Sequence, residues 1–202
     1  MQAPKTTVDG LELQDSSKFR QVYLKPGATL TGYSAYGVAD CHVAFRKDWM
    51  RDQNAQRLDL SNRVTQQDVD RIKSTLAKEC DKYFRASLTE SPAYNLVEEF
   101  SEGEAVLLLR PTIINLDVNA PDLQSPGMER SYTTSAGEMT LQLELIDATT
   151  SEVLVRVIDR QRGMDTGRVQ WSNSTSNKFE ADRVLKNWAK RLREGLDKAT
   201  AT

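Results

Sequence analysis

The residues of this chain best suited to covalent or metal chemistry are Cys41, Cys80 and His42. His42 is the only histidine, so any Cys–His or Ser–His–Asp site would have to use it. Cys41 is its neighbour, and consecutive side chains of a strand point to opposite faces, so the two cannot pair locally. Two cysteines and one histidine also fall short of a closed four-ligand zinc site without carboxylates. Both thiols fall on apolar faces, Cys41 on a strand and Cys80 on a helix, away from charges that would activate a nucleophile. Their remaining chemistry is with each other. An even count permits a disulfide without demanding it, and an oxidising compartment would let one persist. Two unpaired thiols packed as small hydrophobes are the other reading; the sequence leaves both open.

Charged side chains offer a second kind of chemistry. Asp159, Arg160 and Arg162 close a strand just before Gly163. Arginine forks suit carboxylate and phosphate, so with Trp171 in the loop beyond they form a candidate partner or anion contact. Internal ion pairing that fixes the following loop is the plainer reading and is favoured; Arg160 is the first choice if a site exists. Glu98-Glu99, Glu102, Glu104 and the Asp147/Glu152 pair could do acid–base work only if buried and close together. They fall in turns, where solvated charge is the ordinary state. No acidic loop has the tight spacing and glycine turn of a calcium site. No dinucleotide-binding Gly-x-Gly-x-x-Gly, phosphate loop or Gly-x-Ser-x-Gly elbow occurs. The expectation is no catalytic residue, no cofactor and no metal.

These side chains need elements to hold them, and the patterning supplies candidates. Met139, Leu141, Leu143 and Leu145 alternate with polar residues, a turn at Asp147–Glu152 follows, and Val153, Val155 and Val157 run back as a hairpin. Residues 36–46 also alternate, with Cys41, Val43 and Phe45 on one side. Thr65 to Asp68 resembles a capping box. The stripe Val69, Ile72, Leu76, Cys80 and Phe84 then runs as a helix to about Leu88. Residues 94–98 and 104–114 read as strands, the second apolar on both sides, with Pro111 marking a bulge or strand end. Asn177–Glu180 is a second capping-box pattern, opening a helix with Val184, Leu185, Trp188, Leu192 and Leu196 on one face. Residues 47–64, 115–135 and 161–176 read as loops.

The expected fold is therefore α+β: a mainly antiparallel sheet of about five strands packed by two main helices, in the order β-α-β-β-β-β-α. Residues 21–198 form the single domain, with a flexible tail over 1–20 and a short one over 199–202. The 202 residues carry a formal net charge of -2 with both signs interspersed, which argues against a nucleic-acid binder. No apolar run approaches the ~20 residues of a membrane helix.

The hairpin and the last helix carry a resemblance. "LQLELIDATTSEVLVRVIDRQRG", then Trp171, then "FEADRVLKNWAKRLREGLD" is similar to the family of domain of unknown function 3313. The positions that match are Asp147, Thr150, Glu152, Val153, Leu154, Asp159, Arg160, Trp171, Trp188, Ala189, Leu192 and Arg193. Ser151 departs from the pattern, which has glycine there. The upstream stretch "FRQVYLKPGATLTGYSAYGVADCHVAF" resembles the family's opening. Members are small Gram-negative bacterial proteins regarded mostly as lipoproteins, and no catalytic residue carries over from them. The resemblance implies an exported protein on the periplasmic side of a membrane, held by acyl chains on a cysteine at or beside Met1. Gln2-Ala3-Pro4 would begin the linker.

Together these readings give a non-catalytic binding or scaffold module of the cell envelope. Its partner is an envelope protein or a second copy, its membrane contact is the N-terminal lipid, and it takes no nucleic acid. The active surface would be loop 115–135 with a sheet edge or loop 161–176. A small enzyme using scattered carboxylates and arginines, or a self-assembling structural subunit, are the alternatives.

Overall fold

The strongest alternation in the chain becomes the centre of the molecule. The computed structural model describes residues 3–16, 18–55, 57, 60, 63–99, 104–118, 132–133, 137–162, 170–171 and 174–200. In chain order the elements are β1 (Glu12–Gln14), β2 (Gln21–Leu24), β3 (Ala35–Val38), β4 (His42–Phe45), α1 (Trp49–Ala55), α2 (Gln66–Thr89), β5 (Val106–Asp117), β6 (Tyr132–Thr133), β7 (Glu138–Asp147), β8 (Val153–Arg162), β9 (Gln170–Trp171) and α3 (Ser174–Thr200).

The architecture is α+β, but the sheet is mixed and has seven strands rather than about five. Its order is β1-β2-β8-β7-β5-β3, with β4 also beside β5. From β1 through β5 every pairing is antiparallel, whereas β3 and β4 run parallel to β5. Parallel pairing needs a crossover, and the chain between β4 and β5 supplies it with α1 and α2. The stretch 36–46, which reads as one strand, is thus two, laid in succession along the same edge of β5. Pro111 explains the break. The Leu109 carbonyl accepts from the Ala39 N–H, and alternate residues face the same side. Pro111 therefore turns its missing N–H toward the gap between Val38 and His42. The expected bulge at Pro111 lies instead near Asn115, whose φ is 52° and where the register shifts between Ile114 and Asp117.

Three further expectations change. Residues 94–98 make only an isolated parallel bridge, Leu96 beside Tyr36. Residues 47–64 contain α1, two turns too short to show a period; Trp49 is buried there and stacks on Phe45 with centroids 4.0 Å apart. Residues 5–14, placed in the tail by the sequence reading, build onto the sheet. The Asp9-Gly10 turn, with Gly10 at φ 82°, folds the strand back as such dipeptides do. The Leu13 N–H then donates to Lys5 O at 2.8 Å, and Leu11 is buried. At the other terminus α3 runs on through Thr200 and begins at Ser174, so Asn177 lies inside it rather than at its cap.

The hairpin and α2 stand as the sequence implies. Leu143 pairs with Val157 and Leu145 with Val155. Thr65 Oγ1 accepts from the Asp68 N–H at 3.3 Å, and Asp68 Oδ2 accepts from the Thr65 N–H at 3.0 Å, completing the capping box. Both long helices cover one face of the sheet. Leu76, Cys80, Phe84 and Leu88 of α2 and Val184, Leu185, Trp188, Leu192 and Leu196 of α3 share one buried cluster with Leu107, Leu109, Ile113, Leu141, Leu143, Val155 and Val157. Contacts run in the same order along both helices, from Glu79–Lys178 to Ser87–Arg193, so the helices are parallel. Arg193 closes the far end. It donates to the carbonyls of Ser87 at 3.0 Å, Glu90 at 3.1 Å and Pro92, and lies over the Tyr94 ring. It thereby satisfies carbonyls that the end of α2 leaves without helical partners. Among the described residues, no helix is long and apolar enough to cross a membrane.

Candidate functional site

The sequence placed Asp159, Arg160 and Arg162 together, and the strand sends them to different places. Asp159 shares the phase of Val155 and Val157, so it points under the helices and is only 4% exposed. It accepts from Trp188 Nε1 at 2.7 Å, the Arg20 N–H at 3.0 Å and Gln161 Nε2 at 2.8 Å, with Arg191 Nη1 at 3.5 Å. A carboxylate so enclosed ties α3 and the segment before β2 to β8. It cannot meet a partner, which corrects its place among the candidate contacts.

Arg160 and Arg162 point to the opposite, helix-free face. Arg160 donates from Nε and Nη2 to Glu138 at 2.5 and 2.6 Å, and Arg162 from Nε to the same carboxylate at 2.8 Å. Arg160, then burial in the opposite sense, then Arg162 set the Glu138 carboxyl, and the net result lies below its usual range. The arginines remain open to solvent, 43% and 70% exposed, against 22% for Glu138. Two rows along the same face, Arg110, Glu144 and Arg156 stand in register across β5, β7 and β8. Glu144 accepts from Arg110 at 2.5 and 3.0 Å and from Arg156 at 2.8 Å. Burial works against its ionisation, but the two guanidinium groups outweigh it and leave the carboxyl below the usual range. Arg156 also grips Asp9 with both terminal nitrogens, at 2.9 and 2.7 Å. That bond is the main reason the Asp9 carboxyl is held far below the ordinary carboxylate range.

The sequence reading missed this second row. Part of its signal was present, since Glu144 and Arg156 lie out of phase with the apolar stripe of the hairpin, whereas Arg110 interrupts a strand that reads as apolar on both sides. Only the register reveals that they meet.

Cys41 and Cys80 are joined as a disulfide with Cα atoms 6.1 Å apart, linking the chain just before β4 to the middle of α2. The Cys41 N–H donates to Asp81 Oδ1 at 2.7 Å. Burial, first, pushes the Asp81 carboxyl up. His42 is exposed on β4. The acidic turns hold structural bonds. Asp147 accepts the Tyr33 hydroxyl at 2.8 Å and the N–H groups of Thr149 and Thr150 at 2.8 and 3.1 Å, and Glu152 pairs with Lys25 at 2.5 Å. Burial, then Asp147, raises the Tyr33 hydroxyl to about 12. Glu98 pairs with Arg85 at 2.6 Å; Glu102 lies outside the described residues. Among the described residues, no group of three or more His, Cys, Asp and Glu could hold a metal ion.

The two long loops leave the sheet at the end where Glu138 and Arg162 sit. The exit of one is fixed by Trp49, whose Nε1 donates to Val118 O at 2.8 Å. Its return passes Gly137 (φ 111°), where an added Cβ would stand 2.5 Å from Asp117 O. Between them, Tyr132 pairs with Trp171 and Thr133 with Gln170, antiparallel. This small second sheet joins segments 115–135 and 161–176 through their backbones. The side chain of Trp171, and most of both loops, lie outside the described residues.

No curated protein sequence matches the chain. Solved structures that resemble it distantly include the following two. The PelC dodecamer from Paraburkholderia phytofirmans aligns at 13% identity and a TM-score of 0.38, covering 84% of this chain and 96% of that one. A protein from Helicobacter pylori, described as a homologue of neuraminyllactose-binding hemagglutinin, aligns at 8% identity and a TM-score of 0.41, covering 87% and 91%. The sequence model described as "Protein of unknown function (DUF3313)" matches residues 7–192, and the chain belongs to that family.

Proposed function

We propose that this chain is a non-catalytic binding module of the bacterial cell envelope, tethered to a membrane by lipid on its N-terminal side. Its partner surface lies at the loop end of the sheet. The observation that carries this reading is the pairing of β6 with β9, which ties two otherwise separate loops into one surface. The segment carrying β6 returns to the main sheet at Glu138, and the segment carrying β9 leaves it at Arg162. Long loops on a rigid scaffold are where binding residues concentrate. The scaffold beneath is locked by the disulfide, Trp49 and Gly137, so it can present the loops without folding anew on contact.

The test is crosslinking in cells. A photoreactive residue placed at Thr133 should trap a defined partner, and one at exposed Asn187 on the helix side should not. Deletion of residues 119–131 should leave the fold intact by circular dichroism and abolish the crosslink. Unchanged capture after the deletion would refute the surface. The tether is tested separately by mass spectrometry of the native protein, where a mature N-terminus without diacylglycerol would end that part of the proposal.

A further inference from the structure

The helix-free face of the sheet presents arginine outward over buried carboxylate. This face carries Leu108, Arg110, Thr112 and Ile114 of β5, Thr140, Gln142 and Glu144 of β7, and Arg156, Ile158, Arg160 and Arg162 of β8. The carboxylates lie low. Glu144 is 7% exposed, whereas Arg110 above it is 51% exposed. The same arrangement recurs where Glu138 lies beneath Arg160 and Arg162. Arg110 spends Nε and Nη2 on Glu144, Arg160 spends Nε and Nη2 on Glu138, and the Arg162 bond uses Nε. The inner edges of the guanidinium groups are thus neutralised and held in place, while their outer edges face solvent.

Resting on the reading of this chain as a binding module, we infer that the open sheet face docks an acidic, partly apolar protein segment. Charge complementarity selects an acidic partner. Guanidinium groups fixed by a carboxylate beneath are pre-oriented forks for carboxylates above, and they shed water more readily than ammonium groups. The neighbours select protein over glycan. Leu108, Ile114 and Ile158 are partly buried on this face and offer apolar contact. Tyr23, the aromatic residue in register with Arg156, is buried and gives no ring for a sugar to stack on. Arginine beside aliphatic residues is a composition that protein interfaces favour. Arg110, Arg160 and Arg162 are the outward forks, whereas Arg156 is spent on Glu144 and Asp9.

The probe is a peptide of Glu-Ser-Leu-Ser repeats, which in extended form carries glutamate and leucine on one side. The full chain should bind it, more weakly as salt rises from about 0.05 to about 0.5 M. The double variant R110Q/R162Q keeps Arg156 on Glu144 and Arg160 on Glu138, so it should fold, with a lower melting temperature from the loss of Arg110 beside buried Glu144; R162Q alone should melt like the parent. The affinity of the double variant should fall about tenfold, and that of the single variant R162Q about threefold. The inference is overturned by equal binding of the parent and variants, by equal binding of a Lys-Ser-Leu-Ser peptide, or by no binding at millimolar peptide. Tighter binding of polygalacturonate would assign the face to a glycan. An oligomer that R110Q/R162Q dissociates would assign it to a second copy. Either result also overturns the inference. Loss of peptide binding with in-cell crosslinks at Thr133 intact would sink this face alone and leave the loop-end proposal standing.

Discussion

Asp159 and Arg160 are adjacent in the chain and live in opposite worlds. Asp159 faces the helices, buried and fully engaged with α3 and the chain before β2. Arg160 faces out, and its bond to Glu138 leaves it open to water. The same division separates the two ends of the molecule. At the far end Arg193 is swallowed among the carbonyls that finish α2. At the loop end Arg162, identical in chemistry, stands exposed beside two loops joined by β6 and β9. Charge used inside fixes the fold. Charge used outside stays in contact with solvent, and the phase of a strand decides which.

That contrast can be broken by mutation. Asp159→Ala strands the Trp188 and Arg20 N–H groups and leaves Arg191 short of its partner. It should cost about 3–5 kcal/mol, read as a fall in melting temperature of about 8–15 °C. A fall of under about 2 °C would mean that the node does not bind the layers. The pair C41S/C80S releases a loop with a sequence separation of 39. It should cost about 4 kcal/mol and be matched by adding reductant to the parent. A parent indifferent to reductant would contradict a bridge that contributes to stability.

Tyr33 sharpens the comparison through pH. Burial, then the bond to Asp147, pushes its hydroxyl up to about 12 from the ordinary tyrosine value of 10.0. The neutral form is therefore stabilised below pH 10, and that contribution is lost as pH rises through 12. Tyr33→Phe should flatten the decline of stability between these values; an unchanged slope would remove Tyr33 from the account. Ser151 has φ 58°, a backbone region that glycine enters without strain. Ser151→Gly should stabilise the hairpin by about 1 kcal/mol, and a lower denaturation midpoint would show that the turn is not strained. Arg162→Gln should shift stability by under about 0.5 kcal/mol. A loss approaching that of Asp159→Ala would erase the distinction between the two ends.

Much of the fold can be read from residues that repeat at one period. The alternation of Leu141, Leu143 and Leu145 gives the hairpin, and the stripe from Val69 to Phe84 with its Thr65 cap gives α2. Trp188, Leu192 and Leu196 give most of α3. The candidate site was only partly legible. Arg160 and Arg162 were singled out with internal pairing as the plainer reading, but their partner Glu138 was not. The charge row of Arg110, Glu144 and Arg156 was invisible because its members lie on three strands. α1 was missed because its two turns are too short to show a stripe, and β1 because it is only three residues long, all exposed, and held by a turn.

The sequence by itself determined which segments are amphipathic and which side of each seeks the core, because burial of apolar surface acts on every residue in a local pattern. It also carried the family signature. The tertiary structure alone decided that the sheet is mixed, that β3 and β4 share one edge of β5, and that Asp159 lies inside while Arg160 lies outside a charged face. Register is the physical reason. Cross-strand neighbours are set by pairing between segments far apart in the chain, and no local periodicity records which partner a strand will meet.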